Sequence, residues 1–112
     1  MSAPVVDLRT YRLVPRGRDE FDRIFREGAL PMLEARAIEV VGHGPSLVDE
    51  HHYFLARAFP SEDEREQQLG SFYESDEWRP YAERVDALIE TYHHLVVPLA
   101  TFASRWTGAA DG

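Results

Sequence analysis

Val5-Val6-Asp7-Leu8-Arg9-Thr10-Tyr11, continuing through Arg12 to Leu13, opens the chain as a strand with apolar residues on both faces. Side chains alternate along a strand, so Val6, Leu8 and Thr10 point one way while Val5, Asp7, Arg9, Tyr11 and Leu13 point the other. A strand of this kind needs two different partners across one sheet. One face suits a layer of helices, and the other, with its arginine and tyrosine, suits a polar pocket.

Beyond that strand, Pro15-Arg16-Gly17 reads as a turn, and Phe21, Ile24, Phe25 and Ala29 recur at helical spacing with Asp19 and Glu20 in the first turn. This predicts a helix to about Arg36, kinked at Pro31, which lacks a backbone donor. Ile38 to His43 and Tyr53 to Arg57 alternate as the strands of a hairpin. With the turn near Val48, His43 faces Tyr53, and Glu39, Val41 and His43 share a face with His51, Tyr53, Leu55 and Arg57. Phe54 and Ala56 then join the helix side, and a slip of one residue would reverse the assignment.

Ser61 followed by Glu64 is a capping-box pattern, and Leu69, Phe72 and Tyr73 supply an apolar stripe. A helix restarts at Ser75-Asp76 and carries Trp78, Tyr81, Ala82, Val85, Leu88 and Ile89, a stripe expected in the core. The last strand is predicted from Tyr92 to about Ala103, and Pro98 within it implies an edge or a bulge.

The order of strand, helix, strand, strand, helix, strand predicts an α+β fold: a ferredoxin-like antiparallel sheet with helices on one face. The 112 residues hold no linker-like stretch, so a single domain over 1–112 with its core at about 5–103 is expected. Tyr11, Leu13, Val41, Tyr53 and Leu55 are expected on the uncovered face, too much apolar surface for water. A second copy packing face to face solves this, giving a homodimer with a closed, barrel-like interior.

Composition removes several classes of function. No run approaches the roughly eighteen apolar residues of a membrane span, and the start lacks the pattern of a signal peptide, so a cytoplasmic protein without membrane contact is expected. The net charge of −8 repels phosphate backbones, which argues against nucleic acid. Cys, Lys and Asn are absent, which eliminates thiol nucleophiles and lysine Schiff bases. Gly42-His43-Gly44-Pro45-Ser46 lacks the central serine of a nucleophile elbow, and no phosphate-binding glycine loop occurs.

Asp7 to Leu13, the Pro-Xaa-Gly turn, Phe21, Leu30-Pro31-Met32-Leu33, Val41-Gly42, Leu55-Ala56-Arg57, Asp76-Glu77-Trp78, Tyr81 and Val97-Pro98-Leu99 together resemble the NIPSNAP family. The resemblance runs from about Val5 to Phe102 and lies in the ordered set rather than in any one piece. It implies a dimeric α/β barrel, a superfamily that also holds cofactor-independent monooxygenases, polyketide-modifying enzymes and haem-dependent peroxidases. It supplies no catalytic set to carry over, since one fold hosts several chemistries. The chain departs from the usual pattern in its histidines and in Ala56, where a large aromatic is common.

His43, His51, Tyr53, Arg9, Tyr11 and Arg57 fall on the predicted interior face. A histidine with a free pKa of about 6.5 can take a proton at neutral pH, while arginine and tyrosine stabilise an enolate or phenolate. His43 and then His51 are the candidate catalytic residues, and Arg9, Tyr11, Tyr53 and Arg57 the candidate substrate-binding ones. Each also suits a plainly structural role: hydrogen-bonded rim histidines, interface tyrosines, arginines paired with acids. Neighbouring residues of the pairs His51-His52 and His93-His94 point to opposite strand faces and no metal-ligand spacing occurs, so a site of His43 and His51 with Glu39 across the hairpin is the lesser alternative, and no metal and no cofactor are expected.

Two functions follow. One is a small cofactor-independent enzyme performing oxygenation, isomerisation or cyclisation on an apolar cyclic or aromatic metabolite in the barrel. The other is a noncatalytic dimeric module binding a small ligand or a protein.

Overall fold

A computed structural model describes residues 3–102. β1 (Val5–Leu13) leads into α1 (Arg18–Ile24), a π-helical turn (Phe25–Ala29) and α2 (Leu30–Ala35); β2 (Glu39–Pro45) and β3 (His52–Phe59) follow. Then come α3 (Glu62–Tyr73), α4 (Arg79–Leu88), β4 (Ile89–Pro98) and the short α5 (Leu99–Phe102). The strands form one antiparallel sheet in the order β2-β3-β1-β4. This is the expected ferredoxin-like arrangement, with β1 and β3 central.

Local chemistry accounts for the joints. A Cβ at Gly17 would come within 2.9 Å of Val14 Cγ2, so the turn after β1 needs glycine there, while Arg16 carries the left-handed φ of 64°. Pro31 cannot donate a hydrogen bond to the preceding turn. The helix accommodates it by a π-helical turn immediately upstream, in which the Leu30 N–H bonds to the Phe25 carbonyl. Ser61 caps α3 as expected, its Oγ accepting from the Glu64 N–H at 3.1 Å.

The sidedness of the sheet differs from the sequence expectation. Tyr11, Leu13, Tyr53 and Leu55 are buried against the helices with Phe21, Phe25, Leu33, Leu69 and Phe72. The Phe21 ring lies 5.1 Å from Tyr11 and 5.0 Å from Tyr53, centroid to centroid. Phe54 and Ala56 therefore lie on the open face, and the parity of β3 and of His43 is right while the two faces are exchanged. Both faces of β1 carry apolar residues, so alternation alone cannot say which one the helices cover. β1 and β2 are parallel through their common neighbour β3; the crossover between parallel strands is right-handed as a rule, which fixes the side its helix takes, and that side carries the larger rings.

Two registers also differ. His43 pairs with Leu55 rather than Tyr53, and a bulge at Val41 places Val40 on the helix side opposite Arg57 and Glu39 on the open side opposite Ala58. The extra residue flips every side chain beyond it, which is why Glu39 and Val41 do not share a face with His43. Gly42 permits the close packing of Phe54, whose ring would lie 3.3 Å from a Cβ there. The last strand begins at Ile89, three residues earlier than expected, and ends on the sheet edge at Pro98, where the helical turn α5 replaces the strand expected to run on to about Ala103, itself outside the described residues. Among the described residues no helix is long and apolar enough to cross a membrane.

Candidate functional site

The sheet and the helices do not meet over their whole area. Between them lies a cavity of about 690 Å³. Phe21, Ala29 and Leu33 from the first helix, Leu55 from β3, and Phe72 and Trp78 from the second helical layer wall its closed side. The exposed lining residues Tyr73, Asp86, Glu90, Thr91 and Tyr92 mark its mouth, along the edge where α4 passes into β4. The walls are therefore apolar and aromatic, as in most small-molecule sites.

One end is polar. Arg9 and Arg57 project from neighbouring strands on the helix side, and behind them Asp7 is fully buried. Asp7 Oδ1 accepts from Arg9 Nε at 3.0 Å and from Arg57 Nη2 at 3.3 Å, and Oδ2 accepts from Arg65 Nη1 at 2.8 Å. Burial alone would push this carboxyl up, but the Arg57 and Arg9 guanidinium groups outweigh it and hold Asp7 below the usual carboxylate range. Arg57 also donates from Nη1 to Tyr73 Oη at 3.1 Å, and Arg9 lies over the Tyr73 and Tyr92 rings at 5.6 and 5.7 Å. The alternation of β1 makes this cluster, since Asp7, Arg9 and Tyr11 share one face with their cross-strand partners Arg57, Leu55 and Tyr53.

The structure divides the candidate residues. Arg9, Tyr11 and Arg57 line the cavity together. Tyr53 stands beyond Phe21, where its hydroxyl donates to Asp22 Oδ1 at 2.5 Å. His43 lies outside the cavity, in a separate shallow depression with Glu34 and Glu39, and its Nδ1 is 2.9 Å from Tyr53 Oη. The single Tyr53 hydroxyl hydrogen points to Asp22, so Nδ1 of His43 must be the donor in this pair. His51 sits in the β2–β3 connection, its backbone N–H bonded to Asp49 Oδ1 and its carbonyl to the Leu13 N–H. Neither histidine reaches the cavity.

Sequence reasoning missed Tyr73, Trp78 and Tyr92 as cavity residues. Tyr92 was recoverable: with β4 begun at Ile89 it stands directly opposite Tyr11 on the same face. Tyr73, beside the core residue Phe72 on α3, carries no sequence signal of its position. The pair His93-His94 behaves as the alternation predicts, with His93 opposite Thr10 and His94 opposite Arg9 on the other face, whereas His51 precedes β3 and the alternation does not apply to it. Among the described residues no three potential metal ligands converge.

Burial pushes the Tyr11 hydroxyl up to about 12, with the neighbouring Tyr73 adding to the shift, and burial together with the bond to Asp22 raises Tyr53 as well. Unfolded tyrosine ionises near pH 10, so the stability these two phenols contribute is complete below about pH 10 and is lost as the pH rises through their folded values. An ultraviolet titration should show part of the tyrosinate signal appearing only near pH 12, together with loss of helical circular dichroism. All tyrosines ionising near pH 10 with the fold intact would contradict the buried placement.

A family model described as NIPSNAP matches residues 6–104. A NIPSNAP family protein from Agrobacterium tumefaciens superposes with a TM-score of 0.81 at 18% identity, covering 92% of this chain and 91% of that one. An uncharacterised NIPSNAP-like domain protein from Burkholderia xenovorans gives 0.81 at 15% identity, over 92% and 90%. A Caulobacter crescentus protein named as a candidate antibiotic biosynthesis monooxygenase gives 0.69 at 12%, over 87% and 90%. At these identities the likeness is one of fold. No curated protein matches the chain.

Proposed function

The chain belongs to the NIPSNAP family, and from that premise we propose that it is a small cofactor-independent enzyme acting on an apolar, ring-bearing metabolite held between sheet and helices. The observation that carries this reading is the cavity itself: apolar and aromatic walls that end on Arg9, Tyr11 and Arg57. A ring enclosed there would bring an enolisable or phenolic oxygen beside fixed positive charge. An opposite charge within about 4–6 Å lowers the pKa of an acid by roughly 1–3 units where it outweighs burial, as the arginines do at Asp7 though not at the more enclosed Tyr11. The protein would thus favour the enolate or phenolate, the reactive form for oxygenation, isomerisation or cyclisation, without a histidine base at the ring.

The placement of His43 and His51 away from the cavity favours a second reading, a noncatalytic dimeric module that binds the same kind of ligand. In either case the open sheet face, with Leu8, Phe54, Leu95 and Val97, packs on a second copy of the chain. Leu95 is 58% exposed and Phe54 36%. A self-complementary apolar face of this kind is the ordinary basis of a two-fold dimer.

The test is a bound nitronaphthol, whose phenolate absorbs in the visible. Its ionisation should fall by about 1–3 pH units on binding, and Ala29→Phe, which fills the cavity from the π-helical turn, should abolish both binding and shift while the fold persists. An unshifted ionisation of the bound probe would sink the enzymatic reading and leave the binding module. Undiminished binding to Ala29→Phe would remove the cavity from both.

A further inference from the structure

The two arginines at the polar end of the cavity are not equivalent. Arg57 is 1% exposed and committed: Nη1 to Tyr73, Nη2 to Asp7. Its Nε is the one buried side-chain polar atom without a partner among the described residues. Arg9 is 16% exposed at the side chain and uses only Nε, on Asp7. Among the described residues its terminal nitrogens make no hydrogen bond of standard geometry, the Tyr11 hydroxyl being a weak neighbour only, and the guanidinium is held over the Tyr73 and Tyr92 rings at the mouth.

The charges around these groups do not balance. Three arginines, Arg9, Arg57 and Arg65, meet two carboxylates, Asp7 and Glu62, since Arg65 Nε also bonds Glu62 at 2.7 Å. One positive charge is left over, beside a fully buried carboxylate and an apolar cavity. Other acids lie near the site. Glu90 and Asp86 line the Leu13 end of the cavity, where β1 pairs with Ile89, and Glu90 is already engaged by Arg12 at 3.1 Å. Neither accepts a hydrogen bond from Arg9. An unmatched cation in partly desolvated surroundings calls for an anion.

From this juxtaposition we propose that the natural ligand of the cavity is an aromatic carboxylic acid, whose carboxylate is gripped by the free fork of Arg9 while its ring lies between the aromatic walls. This deepens the reading of the cavity as the ligand site and rests on it. A guanidinium with two free terminal nitrogens matches the two oxygens of a carboxylate, whereas a lone enolate or phenolate oxygen uses only one of them. Arg57, with both ends tied, supplies charge without contact. The ring of the ligand reaches the Arg57–Tyr73–Tyr11 corner, and its acid group reports on Arg9.

Two probes of equal shape separate these statements: 2-naphthoate and the neutral 2-naphthamide, titrated calorimetrically into the intact protein at neutral pH. A charge-assisted fork should favour the acid by roughly 10- to 100-fold. Arg9→Gln should erase that preference by weakening the acid alone, and Arg9→Lys, which keeps the charge but not the fork, should restore only part of it. Equal binding of both probes to the unaltered protein overturns the acid while leaving the cavity as a ligand site. A preference that survives Arg9→Gln overturns the assignment to Arg9, and failure of both probes to bind overturns the cavity reading with it. Circular dichroism of each variant guards against misfolding, and a variant that does not fold is replaced by Arg9→Met.

Discussion

Asp7→Asn should cost about 3–5 kcal/mol of folding free energy, because it leaves the buried Arg57 and its neighbours without their shared counter-charge. Few single substitutions in a small domain approach this, since total stability is about 5–15 kcal/mol. The isosteric amide keeps the shape and removes only the charge, so lost packing cannot account for the loss. Urea denaturation at neutral pH is the measurement, and an unchanged midpoint would show that the arginines are solvated in place. Removing the excess charge as well, in Asp7→Asn with Arg57→Met, should recover part of the stability, as breaking one side of a buried pair costs more than removing both.

The same group sets a pH dependence. The Asp7 carboxyl is held low in the folded protein against about 3.9 in the unfolded chain. Its contribution is therefore present above that unfolded value and is lost as the pH falls through the folded one. The acid limb of the stability curve should be steep in the unaltered protein and flattened in Asp7→Asn.

Leu95→Asp should convert a dimer into monomers. Leu95 lies on the open face of the edge strand, opposite Leu8, and is already 58% exposed in the single chain, so the substitution leaves the monomer fold untouched. In a two-fold assembly the new carboxylate occurs twice at the interface, and the cost of burying it, about 3 kcal/mol or more, weakens association by over 100-fold. Sedimentation at micromolar concentration would show it. A monomer before any substitution would refute the face-to-face assembly, and a dimer that tolerates Leu95→Asp would place the interface elsewhere.

How far the sequence reached is best judged on β1. Its alternation put Asp7, Arg9 and Tyr11 on one face, and the parity of β3 put Leu55 and Arg57 beside them, so Arg9, Tyr11 and Arg57 could be grouped from the sequence, although on the face expected to be open rather than on the helix side where the cavity lies. The place of the histidines outside the cavity was not readable, although His43 was rightly placed on the same face as Tyr53. Face membership is a property of one strand, whereas belonging to a cavity depends on where the helices stand, and Phe21 and Phe25 stand between His43 and the cavity.

The sequence by itself determined the order of the main elements, the antiparallel ferredoxin-like sheet, the Ser61 cap, the confinement of Pro98 to an edge or a bulge and membership of the family, because each rests on local periodicity, on backbone donors that proline lacks, or on an ordered set of residues. Only the tertiary structure decided which sheet face the helices cover, where β2 bulges, how the helix passes Pro31, and that Tyr73 and Tyr92 close around Arg9. Those outcomes depend on the handedness of a crossover and on the volumes of rings from distant segments competing for one space. Such a competition is settled only when the whole chain is packed.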